Sequence, residues 1–324
     1  MIKLNTPIDM HLHLREGKML KEVISYTANQ FAAAVIMPNL VPPVDNMEKL
    51  ENYKNEILQN SRDFKPLMNV FMREYTKDEL TDLKKNIFAV KLYPAGITTN
   101  SEGGVKSIEN VYPVLEIMQE LGIPLSVHGE TNGFVLDRER EFAAVYEKLA
   151  CDFPDLKIIM EHISTYNLAE ILDRYKNLYA TVTLHHLLLT LDDLIGGNLN
   201  PHNFCKPVVK TPKDRDALQE LVRSGHRKVM FGSDSAPHSI ENKLKGAAGI
   251  FSTPVILPAL AEFFDGDVKI FQKYISTNAI ENFSLDIPQK EVILEEEVWT
   301  APQTVGEIKP LFAGKRFSYS VKNL

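Results

Sequence analysis

The sequence predicts a (β/α)8 barrel, the TIM-barrel architecture, with a short C-terminal extension, and three observations carry that reading. Short apolar, β-branched-rich runs alternate with amphipathic helical stretches along most of the 324 residues. Eight such runs can be counted, and a barrel of about 250 residues leaves room in this chain for long loops and a tail. The residues able to do chemistry gather at or near the C-terminal ends of the runs, where barrel active sites are built.

The first run is IKLNTPIDMHLHL (2–14), followed by AAAVIMPN (32–39), PLMNVFM (66–72) and FAVKLYP (88–94). PLSVHGE (124–130), KIIMEHI (157–163), YATVTLH (179–185) and KVMFGSD (228–234) complete the eight. Between them lie helical patterns such as 107–121, closed by Gly122, and 213–224, closed by Gly225, each with capping signals. No G-x-G-x-x-G follows any run, which argues against a dinucleotide-binding open sheet. The whole of 1–324 reads as one barrel domain. Residues 286–324, with EVILEEEVW and RFSYSV, read as a peripheral tail of a few short strands outside it.

Composition excludes several classes of protein. With 44% hydrophobic and 24% charged residues, the chain is an ordinary globular one. Its 36 Lys and Arg against 43 Asp and Glu leave no basic surplus for a polyphosphate backbone, so nucleic acid is not expected as a partner. Two cysteines, Cys151 and Cys205, are too few for a disulfide framework in a chain of this size. The opening MIKLNTPIDMHLHLREG lacks a signal-peptide core, and no apolar run approaches the ~20 residues that span a bilayer. A cytoplasmic protein with no membrane partner is expected, and a homodimer is left open.

The strand-end residues are His11, His13, Asn39, Arg73, Lys91, His128, His162, His185 and Asp234. Side chains two apart on a strand share a face, so His11 and His13 can grip one divalent metal while Leu12 points outward. Lys91 sits in an apolar strand with no acidic neighbour in sequence, where an ammonium carries a large desolvation cost. One escape is to lose the proton and combine with carbon dioxide, giving an anionic carbamate able to bridge two metals. The alternative is a lysine that snorkels to solvent at the barrel mouth. In GSDSAPH (232–238), Asp234 ends the last strand and a tight turn returns His238 to the same mouth. A carboxylate there can both ligate a metal and take a proton.

HLHLREG, KLYPAG, VHGE, EHIS and GSDSAPH, in this order over nearly the whole chain, resemble the amidohydrolase superfamily. With MPNL, TTNSEGG, PHNFCKP and GAAG, the set more narrowly resembles its bacterial class II dihydroorotases. The resemblance implies a metal-dependent hydrolase with two Zn²⁺ per chain. His11, His13, Asp234 and an N6-carboxylated Lys91 would hold one ion, and His128, His162 and the same Lys91 the other. Two such ions carry more positive charge than the carbamate and Asp234 cancel, which suits an anionic substrate. The implied reaction is reversible conversion of N-carbamoyl-L-aspartate to L-dihydroorotate in pyrimidine synthesis, with Asp234 moving the proton.

Arg15, Asn39 and His238 would hold the substrate carboxylate, with backbone groups at Ala236, Ala248 and Gly249 completing the pocket. Arg15 would share the face of His13 if the strand continues. Thr98 and Thr99, in the loop 96–104, would fold over the substrate. Lys206 departs from the pattern, since the family more often has an apolar residue there whose backbone faces the substrate. His185, His186, His202 and His226 fall outside the implied metal set, with His226 expected to be exposed. Hydantoinases and allantoinases would share the metals. They usually add an N-terminal β-domain, and with the first metal motif at residue 11 none is expected here.

Overall fold

The computed structural model describes residues 1–322. Strand β1 is Ile2–Asn5, and the eight strands β2 (Ile8–Leu12), β3 (Ala33–Ile36), β4 (Lys65–Phe71), β5 (Ala89–Leu92), β6 (Leu125–Val127), β7 (Ile158–Met160), β8 (Leu178–Val182) and β9 (Val229–Phe231) form one parallel sheet in chain order. Helices run between them, as right-handed parallel connections require. Just beyond β9, Asp234 N donates to His11 O (2.9 Å) and His13 N to Ser235 O (3.1 Å), bringing the two edges together into a nearly closed barrel. Gly232 permits this approach: a Cβ there would lie 2.9 Å from Thr181 Cβ and 3.0 Å from His11 Cβ.

Alternation along the strands sorts the core. Val90, Leu92, Leu125, Val127, Ile158 and Met160 face outward into the main apolar layer against the helices. Ile8, Met10, Val35, Met37, Ile159 and Met230 form a separate cluster that fills the interior. An irregularity in β2 between Asp9 and Leu12 shifts its register, so that Met10 joins this cluster while His11 reaches the pocket above it. The polar residues therefore rest on an apolar plug.

Two expectations are corrected here. The run 2–14 is not one strand: Thr6 takes a φ of 51° and Pro7 follows, so β1 leaves the barrel. It pairs antiparallel with β10 (Glu291–Glu295), which also pairs with β13 (Ser320–Val321), while β11 (Trp299–Thr300) pairs with β12 (Arg316–Phe317). Burial alternates in β1 and is continuous in β2, the physical mark of a half-exposed outer strand beside a barrel strand. His185 is not at a strand end either, because β8 stops at Val182 and Thr183 caps a short helix, Leu184–Leu188.

The stretch 107–121 begins as a 3-10 turn, Ile108–Val111, and becomes helical over Tyr112–Leu121, ending at Gly122 with φ 68°. Pro212–Arg223 starts with a capping box between Thr211 and Asp214. No described helix is long and apolar enough to cross a membrane.

Candidate active site

The strand ends bring two groups of nitrogen and oxygen donors to one mouth. In the first, His13 Nε2 lies 3.3 Å from His11 Nε2 and 3.2 Å from Asp234 Oδ1, with His11 Nε2 to Asp234 Oδ1 at 3.5 Å. One nitrogen from each imidazole and one carboxylate oxygen converge closely enough to hold a single metal ion. In the second, His128 Nδ1 is 3.2 Å from His162 Nε2. The His162 ring stands between the two groups, its centroid 4.8 Å from that of His11 and 4.8 Å from that of His128.

Each group is oriented from behind by a buried glutamate. His11 Nδ1 donates to Glu161 Oε2 at 2.8 Å, which turns Nε2 toward the pocket, and His128 Nε2 donates to Glu130 Oε2 at 2.7 Å, which turns Nδ1 the same way. Glu161 also accepts from Ser126 Oγ (2.5 Å) and Thr181 Oγ1 (2.7 Å). Burial opposes its ionisation, but His11, Lys91 and the Ser126 hydroxyl outweigh that and bring its pKa down to about 2. His162 and Asp234 both adopt left-handed backbone, with φ of 39° and 43°, a conformation that costs a non-glycine residue energy. At His162 this bend lets consecutive residues, Glu161 and His162, both serve the site.

Lys91 is fully buried on β5 with no hydrogen-bond partner for Nζ among the described residues. Burial lowers its pKa to about 8, only partly offset by Glu161 and Asp234. Its charge is felt by His11, His13 and His162, so Nζ lies within electrostatic reach of both donor groups. The snorkelling alternative does not describe this side chain. His11 is pushed down to about 4 by burial, leaving its imidazole neutral and free to ligate.

All the sequence-predicted site residues except Lys91 and His238 line a single pocket, joined there by Tyr93. Lys91 stands in its wall, and His238 backs Arg15. The strand does not continue to Arg15, whose φ is 61°, yet the guanidinium reaches the mouth, with Nε donating to Pro237 O (3.2 Å) and Nη2 3.0 Å from His238 Nε2. His238 Nε2 also lies 2.9 Å from Ala248 O, and one nitrogen cannot accept from Arg15 while donating to Ala248. Gly249 uses its own backbone internally: its N–H donates to Phe204 O (2.9 Å) and its carbonyl accepts from Lys243 Nζ (2.6 Å). Its contribution is closeness, since a Cβ there would fall 2.7 Å from Ala236 O and 2.9 Å from His238 Cδ2.

Loop residues form the roof. Thr99 O accepts from Asn39 Nδ2 (3.0 Å), and Asn100 Nδ2 donates to Asn39 O (3.0 Å). Thr99 Oγ1 lies 3.4 Å from Ala248 O, and Lys206 Nζ donates to Ile97 O at 2.6 Å. The ammonium of Lys206 thus holds the loop.

Other strand-end residues fall outside. Arg73 turns away to Glu79 (2.8 Å) and Asp45 O (3.1 Å). His226 is not exposed as expected: its side chain is 16% accessible and pairs with Asp173 at 3.0 Å. Glu161, Glu130 and Tyr93 carry no role in the sequence reading. The signal for the glutamates was present, a carboxylate within two residues of a histidine just past the end of an apolar run.

A family model described as Amidohydrolase matches residues 8–281, and the chain belongs to that family. Within the family its relatives are the dihydroorotases. It is 47% identical to the dihydroorotase of Helicobacter hepaticus over 335 aligned residues, covering 99% of this chain and 98% of that one. The crystal structure of Campylobacter jejuni dihydroorotase superposes with a TM-score of 0.96 at 51% identity, covering 99% of this chain and 97% of that one. Saccharomyces cerevisiae dihydroorotase in complex with 5-fluoroorotic acid gives 0.91 at 33% identity, covering 99% of each chain.

Proposed function

We propose that this chain is a zinc-dependent dihydroorotase, reversibly converting N-carbamoyl-L-aspartate to L-dihydroorotate in de novo pyrimidine synthesis, in the cytoplasm. The observation that carries the reading is a set of orphaned buried atoms in one place. Lys91 Nζ, Tyr93 Oη, His162 Nδ1 and Asn39 Oδ1 are all buried at the pocket without a partner among the described residues, while relatives across the full length are dihydroorotases. Buried polar atoms left unpaired cost free energy, and their concentration here marks where ligands belong. On this reading 1–324 acts as one hydrolase unit, with 286–324 peripheral.

The donors fit two zinc ions. His11, His13 and Asp234 would hold one and His128 and His162 the other. Lys91 would bridge them as an N6-carboxylated side chain, formed when its neutral amine adds to carbon dioxide and releases a proton. Neutral imidazoles, a carboxylate and a carbamate are donors that zinc accepts. When bound, zinc supplies Lewis acidity at the amide carbonyl. Asp234 presents one oxygen to the histidines and keeps the other to take a proton and return it to the ring nitrogen. Arg15 and His238, with Asn39, would hold the carboxylate. Ala236, Ala248 and Gly249 shape the wall, and Thr98 and Thr99 close over the ring and exclude water. Lys206 would act through the loop.

The 5-fluoroorotic acid bound by the yeast relative is a carboxylated ring of this size. Dihydroorotate opening, followed by loss of its absorbance with and without a strong chelator, tests the proposal. Turnover that chelation abolishes is expected. Turnover by metal-free protein would end the zinc reading, and no turnover of metal-replete protein would end the substrate assignment.

A further inference from the structure

A second cluster of metal-ligating side chains lies outside the pocket. The short helix Leu184–Leu188 presents His185 and His186, and the segment 202–207 brings Cys205 against them. All three are buried, and one donor atom from each lies within 4.8 Å of the others. Thr183 sets the direction: its Oγ1 accepts from His186 N at 3.0 Å and lies 2.9 Å from His186 Nδ1, turning Nε2 inward. There Nε2 donates to Pro207 O at 3.0 Å, and the Cys205 thiol donates to the same carbonyl at 3.1 Å. Cys205 Sγ and His186 Nε2 are 3.9 Å apart. His185 supplies the independent sign of a missing ligand, because its side chain is fully buried and neither ring nitrogen has a partner among the described residues.

We propose that His185, His186 and Cys205, with the carbonyl of Pro207, form a separate binding site for a thiophilic divalent ion of the zinc type. A tetrahedral zinc with bonds of about 2.0–2.3 Å separates its ligand atoms by roughly 3.3–3.8 Å. The three separations of 3.0, 3.1 and 3.9 Å bracket that range. One thiolate and two imidazoles select zinc or cobalt over calcium or magnesium. Binding replaces the thiol hydrogen of Cys205, which leaves as a proton to solvent. The His186 proton moves from Nε2 to Nδ1, where the Thr183 hydroxyl turns to accept it. An occupied site would tie the end of β8 to the segment that carries Lys206, and so brace the anchor of the pocket's roof.

The test uses the holoenzyme with Cys151→Ser, so that Cys205 is the chain's sole thiol. Zinc is titrated in, free metal is removed, and metal per chain is compared with the Cys151→Ser/Cys205→Ser protein. The expected result is one equivalent lost on removing Cys205, whatever number the central pocket retains, so the outcome is separate from that of the proposed activity. Cobalt titrated into the single-thiol protein should add a thiolate-to-cobalt charge-transfer band. Equal metal content in the two proteins would overturn the site. Should the double variant not fold, cobalt saturation of the single-thiol protein without that band would overturn it equally.

Discussion

The floor and the roof of the pocket are built by different means. The floor consists of side chains at the ends of barrel strands, each buried and each histidine group braced by a glutamate that is itself buried. The roof is the loop around Thr98 and Thr99, held by a handful of bonds from Asn39, Asn100 and Lys206 to backbone carbonyls. A floor of this kind is in place before any ligand arrives, and its cost is carried by strained backbone at His162 and Asp234. Breaking a few bonds worth about 1 kcal/mol each can open the roof without disturbing the floor. Chemistry and access are thus assigned to parts of different stability.

Substitution in the floor should have the largest effect. Lys91→Arg keeps a positive charge but cannot form a carbamate, and a guanidinium facing two divalent ions would expel them. Activity should fall to background together with the metal content of the pocket. Full metal content with normal turnover would show that Lys91 is no bridge.

Arg15→Ala comes next. A charge-assisted hydrogen bond contributes about 1.5–3 kcal/mol, so kcat/KM for both directions should drop by about 10–100-fold. KM should rise and kcat should fall, because on the proposed reading the same clamp would bind the carboxylate and align the carbonyl. Unchanged kinetics would remove Arg15 from the site.

Much of the floor was legible in the sequence, and the reason is periodicity. Strand alternation places Lys91 and His128 inward once the runs are recognised, and the chain-long order of HLHL, KLYP, VHGE, EHIS and GSDS fixes the company of the other histidines, although a register shift in β2 is needed to turn His11 in. With Ile159 inside and Met160 outside, the same rule turns Glu161 inward. Its neighbour His162 should face the opposite side of a regular strand, and only the left-handed turn at His162 brings both to the site. The division of 2–14 is signalled in the sequence only by Pro7, because polar and apolar residues alternate on both sides of it and the contrast between half-exposed β1 and fully buried β2 appears only in the fold. What no local pattern carries is long-range contact. That Lys206 reaches Ile97, or that Cys205 meets His185 and His186, follows from loops whose paths the barrel sets.

Glu161→Gln probes the bracing of the floor. The amide no longer holds His11 with a charge, and loss of such an outer partner typically weakens metal affinity by about 10–100-fold. Chelator competition should show that weakening, while kcat at saturating zinc recovers most of its value. Unaltered affinity would mean that Glu161 only fills space.

The smallest effect, and the sharpest separation of floor from roof, belongs to Lys206→Leu. Its half-buried ammonium makes one bond to Ile97 O, and a charged donor still partly hydrated falls at the low end of its range, about 1.5 kcal/mol, so kcat/KM should fall only about tenfold. Leucine keeps an apolar stem of similar reach and removes only the charge, so stability should hardly change. The loop should open more often, and proteolytic cleavage within 97–103 should become faster while zinc affinity stays as it was. Glu161→Gln should do the reverse, losing zinc affinity with cleavage of the loop unchanged. If Lys206→Leu instead released metal, or Glu161→Gln loosened the loop, the two parts would be one cooperative unit and the division drawn between them would not hold.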